Sequence, residues 1–88
     1  MVDFCELKRA HEFNKYEFAA IELDLAITFA ETAACSDSDD KINRNIANAR
    51  RAYREAMKFL RGARLTRQMT KTVVERIDRL SRLLSYSD

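Results

Sequence analysis

No proline occurs anywhere in the eighty-eight residues, and Gly62 is the only glycine. No other feature constrains the fold as strongly. Hairpins, sheets and loop-rich folds need residues that fix a bend or reach positive φ, and this chain has almost none. It is therefore confined to a few long helices with few breaks between them. The length suits one helical domain over residues 1–88, since a single core normally holds a chain of this size.

Two breaks stand out. In "SDSDDK", Ser36 to Lys41, Ser38 is placed to N-cap a helix, and Asp39 and Asp40 fall in its first turn, where the helix dipole favours anions. In "RGARLT", Gly62 suits the left-handed position beyond a helix end, with Lys58 and Arg61 in the turn before it. Thr66 can cap the next helix. The expected helices are Phe4–Cys35, Asp39–Arg61 and Arg67–Ser85.

The first of these helices carries two apolar stripes at 100° per residue. Tyr16, Ala20, Leu23, Ile27, Ala30 and Ala34 form one, made mostly of small residues that permit close approach. Phe18, Ile21, Leu25 and Phe29 form a second on the opposite side. Glu17, Asp24 and Glu31 recur every seven residues as an acidic strip between them.

The second helix has one stripe, Ile42, Ile46, Ala49, Tyr53, Ala56 and Leu60, and the third has Met69, Val73, Ile77, Leu80 and Leu84. Short connections make consecutive helices antiparallel, so the expected fold is all-α, an antiparallel up-down-up three-helix bundle. Leu23, Ile27, Ile46, Tyr53, Leu60, Val73, Ile77 and Leu80 are its expected core.

At Ala49-x-x-x-Tyr53-x-x-Ala56 the chain resembles the second helix of a tetratricopeptide repeat. Leu25-Ala26-x-x-Phe29 is similar to the first-helix pattern of that repeat. Residues 25–60 carry the resemblance in one copy, with longer helices and without the repeat's tryptophan and closing proline. In architecture the chain also looks like the microtubule-interacting-and-transport type of domain. Both classes bind helical or extended peptides and have no catalytic residues. The resemblance thus implies a protein–protein interaction module and assigns no individual binding residue.

The residues themselves offer little for catalysis. His11 is the only histidine, and with Cys5 and Cys35 it makes no zinc spacing. A phosphate-cradling glycine loop is impossible with one glycine. Asp39 and Asp40 are explained by the helix start, and Asp3 and Glu6 beside Cys5 disfavour a reactive thiolate. No enzyme activity, metal or cofactor is expected. "MVDFCELKRAHEF" lacks the basic-then-apolar order of a signal peptide, and no uncharged apolar run is long enough to span a membrane. The expected location is cytoplasmic, with reduced thiols.

Charge is distributed unevenly. Residues 1–40 carry ten acids and three bases, for −7, and residues 41–88 carry thirteen bases and four acids, for +9. Arg44, Arg50, Arg51, Arg54, Lys58 and Arg61 spread over the side of the second helix opposite its apolar stripe. The favoured reading is a solvated face, partly neutralised by the acidic strip of the first helix and by Glu55, Glu75 and Asp78. The alternative is a nucleic-acid-associated regulator that binds phosphates through this basic face. The favoured function is a helical interaction or self-associating module. Its candidate self-association surface is the second stripe of the first helix, Phe18, Ile21, Leu25 and Phe29, covered by a protein partner, by a second copy in a homodimer, or by the chain's own third helix.

Overall fold

Three helices, α1 (Phe4–Cys35), α2 (Asp39–Leu60) and α3 (Arg67–Ser85), follow one another in a computed structural model. It describes the backbone of residues 4–85 and the side chains of residues 13–85. No strand occurs among the described residues.

Helix ends fall within one residue of where the sequence places them, with different chemistry at the N-termini of α2 and α3. Ser38 takes the extended N-cap conformation (φ −113°, ψ 129°) and its carbonyl accepts from Ile42 N at 3.0 Å, but its hydroxyl makes no cap bond. Asp39 and Asp40 in the first turn leave α2's N-terminus with favourable charge all the same. The Thr66 hydroxyl does cap α3, accepting from Met69 N at 3.1 Å. Helix α2 ends one residue earlier than expected. Arg61 is extended at the C-cap, and Gly62 follows at φ 74°, the left-handed conformation that costs glycine nothing.

Helix α1 is the spine. Both other helices pack on it, α2 more extensively than α3, while the backbones of α2 and α3 barely approach each other. The α1–α2 seam is lined with alanine: Ala19, Ala26, Ala30 and Ala33 on one side and Ala49, Ala52 and Ala56 on the other, all buried. Alanine brings two backbones close and loses no rotamer freedom on burial. Larger side chains fill the places where three helices meet. Leu23 sits with Ala19, Ala56 and Val73; Leu80 sits with Ala26, Ile27, Ala30, Ala49 and Ala52. These two leucines are the largest fully buried side chains among the described residues.

The packed pairs also fix the helix directions. Along α1, partners on α2 fall from Phe59 opposite Phe18 to Ala49 and Ala52 beside Ala30, so α1 and α2 run oppositely. Partners on α3 rise, from Arg76 at Asp24 to Arg79 at Glu31.

Of the expected core, Leu23, Ile27, Val73 and Leu80 are buried, whereas Ile46, Tyr53, Leu60 and Ile77 are half-buried. Ala34 is exposed, and Ala33 beside it is buried instead. Ala33 continues the seven-residue spacing of the buried Ala19 and Ala26.

Candidate functional site

The stripe on α1 is left open because of how the other two helices are placed. Helix α2 takes the flank marked by Ala19, Ala26 and Ala33, and α3 takes the flank marked by Asp24 and Glu31. Between those flanks, on the outer side, Phe18 is 54% exposed, Ile21 60% and Leu25 42%. These three are neighbours at spacings of three and four residues, so they form one patch rather than scattered side chains. Phe18 leans over to α2, where its ring stacks on Phe59 with centroids 5.4 Å apart and planes at 26°.

Phe29 departs from the expected stripe. It is half-buried and packs against the cluster of Ala26, Ile27, Ala30 and Leu80. Its neighbours on the outer face are Thr28 and Thr32. Their hydroxyls donate to the carbonyls of Asp24 (3.0 Å) and Thr28 (2.8 Å), and Ser36 adds a third such bond, to Thr32 O at 2.7 Å. The apolar patch therefore stops at Leu25 and gives way to a polar row whose hydroxyls are already bonded.

The residues of the candidate basic face are all exposed: Arg44, Arg50, Arg51, Arg54, Lys58 and, at the C-cap, Arg61. They sit on the side away from the buried Ala49, Ala52 and Ala56, hence away from α1. Lys58 Nζ donates to Glu55 Oε1 at 3.0 Å, and Arg50 has an interaction of its own. Among the described residues, Arg44, Arg51, Arg54 and Arg61 have no ion pair with an acidic side chain.

The acidic strip of α1 does not reach them. Arg76 Nε of α3 lies 3.2 Å from Asp24 Oδ1, and Arg79 Nη2 donates to Glu31 Oε1 at 2.8 Å. The expected neutralisation of α2 by α1 is replaced by one of α3. The reason is geometric: Asp24 and Glu31 lie on the flank that α3 occupies.

A third feature has no counterpart in the sequence pattern. Tyr53, Ile77, Leu80, Ser81 and Leu84 line a cleft of about 150 Å³ between α2 and α3. Each lining residue except Ser81 belongs to an apolar stripe, and the cleft opens because α2 and α3 stand apart. Periodicity within one helix carries no signal for the distance between two others.

No group of three or more side chains able to hold a metal ion occurs among the described residues. Cys35 is an exposed free thiol at the end of α1. The side chains of Cys5 and His11 lie outside the described residues. No helix among the described residues is long and apolar enough to cross a membrane. Compared with protein-family models, curated proteins and solved structures, the chain matches none of them.

Proposed function

We propose that this chain is a small non-enzymatic interaction module that self-associates through the outer face of α1. One observation carries the reading. Phe18, Ile21 and Leu25 form a contiguous apolar patch on the outer side of α1, each at least 42% exposed despite the packing of α2 and α3. Monomers rarely leave such patches in water, and a second copy is the simplest cover because one patch can match itself across a two-fold axis. The Phe18–Phe59 stack widens the patch toward α2 and gives it an aromatic anchor of the kind found at interface centres. The non-enzymatic part of the reading rests on the sequence, which offers no base–nucleophile pair and no phosphate loop. A cytoplasmic location goes with its reduced-thiol expectation.

The deciding experiment is light scattering on the intact chain and on Ile21→Glu with Leu25→Glu. The expected result is a dimer for the intact chain and a helical, folded monomer for the variant. A monomer for the intact chain at high concentration ends the proposal.

A further inference from the structure

Among the described residues, Arg44, Arg51, Arg54 and Arg61 have no ion pair with an acidic side chain. Their natural neutraliser, the acidic strip of α1, is engaged at Asp24 and Glu31 by arginines of α3. The one acid among residues 44–61, Glu55, is tied to Lys58. We propose that the outward face of α2 is a binding site for the phosphate backbone of duplex nucleic acid, independent of base sequence. Its working residues are Arg44, Arg51, Arg54 and Arg61, with Lys58 beside them.

Three observations choose this occupant over others. First, Arg44, Arg51 and Lys58 recur every seven residues, about 10.5 Å apart along the axis, and Arg54 and Arg61 run beside them with the same spacing. From Arg44 to Arg61 the row extends about 25 Å, the rise of about seven base pairs. Cations in such a row follow a line of regularly repeating negative charge, and a folded protein surface rarely offers one.

Second, none of the exposed large hydrophobic side chains among the described residues belongs to α2; they are Phe13, Phe18, Ile21, Leu25 and Val74. Protein interfaces centre on apolar or aromatic anchors, and amphipathic helices that lie on membranes present them too. A face made of charge alone suits a polyanion.

Third, no aromatic ring stands among the exposed cations for bases to stack on, which favours a duplex, with its bases enclosed, over a single strand. Across the turn, exposed Arg67 and Lys71 continue the basic run into α3. The site does not depend on self-association, because it points away from α1.

The test is fluorescence anisotropy with a labelled random-sequence DNA duplex of about two helical turns, titrated with the full chain from 50 to about 300 mM potassium chloride. Binding is expected at low salt and should weaken steeply as salt rises. Arg44→Gln, Arg51→Gln and Arg54→Gln together should cut affinity about tenfold or more and flatten the log–log salt slope by two to three units. Circular dichroism of this variant should match the intact chain, since the three side chains are exposed and unpaired.

Equal binding by the intact chain and the triple variant overturns the proposal, as does no binding at 50 mM. Binding to polyglutamate or to anionic vesicles as tight as to DNA also overturns it, in favour of an acidic protein or a membrane. The Ile21→Glu, Leu25→Glu variant serves as a separate control. It should retain the salt-dependent binding, so failure of the self-association reading and failure of this one are distinguishable.

Discussion

Phe18 and Phe59 stack at 5.4 Å where α1 and α2 meet water, Phe59 half-buried against the cluster of Ala19, Leu23, Ala56 and Val73 and Phe18 on its outer side. Phe18 is more than half exposed, so its ring gains from its partner what burial does not supply. A double-mutant cycle of Phe18→Ala and Phe59→Ala in urea should show a coupling of about 1 kcal/mol, the range of an aromatic pair. Additive single effects would mean that the two rings stabilise the fold separately.

Leu80 and Val74 lie on the same helix and contrast sharply. Leu80 is almost wholly enclosed where three helices meet, and Val74 is 48% exposed. Leu80→Ala should cost roughly 2–5 kcal/mol, and Val74→Ala should stay within about 0.5 kcal/mol of the intact chain. Ile77, half-buried beside the cleft, should fall between them. Urea midpoints for the three variants check the order.

The two N-caps should differ in the same experiment. Thr66→Ala removes a hydroxyl bonded to Met69 N and should cost about 1 kcal/mol. Ser38→Ala removes a hydroxyl with no such bond and should cost at most a few tenths, roughly. Equal losses would show that Ser38 caps α2 in solution.

Gly62→Ala isolates a purely conformational cost. A Cβ at Gly62 meets nothing within 4 Å, yet the residue holds φ at +74°. The substitution should destabilise by about 1–2 kcal/mol from backbone strain alone. Gly62→Asn should recover part of that loss, because asparagine tolerates the left-handed region. Thermal melts of both variants give the comparison.

The helices were legible in the sequence because their signals are local. Absent proline, the aspartates after Ser38, and Gly62 with Thr66 each act within one turn. Phe18, Ile21 and Leu25 were legible as a second stripe for the same reason. The partners of that stripe and of the acidic strip were not. Whether Phe29 tucks under its neighbours, and whether Asp24 meets α2 or α3, depends on the angles at which two other helices sit around α1. Those angles arise from the sum of many packed contacts, notably the alanine seam, and no short stretch of residues contains them. The cleft at Tyr53 and Ile77 was hidden for this reason too.

The unequal packing around α1 also divides the molecule by stability. Helices α1 and α2 share a long alanine seam, whereas α3 is held mainly by Val73, Leu80 and the side chains around them, with ion pairs that are partly to largely exposed. Exposed pairs add little, so α3 has the weaker attachment. Opening of the native state should therefore occur in steps, with α3 leaving first as one cooperative unit while the α1–α2 hairpin stays closed. Amide hydrogens of Val73 to Leu80 would then exchange at a lower free energy than those around Ala26 and Ala52. Departure of α3 would also uncover Ile27 and Leu23 and release Asp24 and Glu31 from their arginines. The molecule has its acidic strip and its weakest helix on the same flank, so a loss of tertiary order there changes its surface charge as well as its shape.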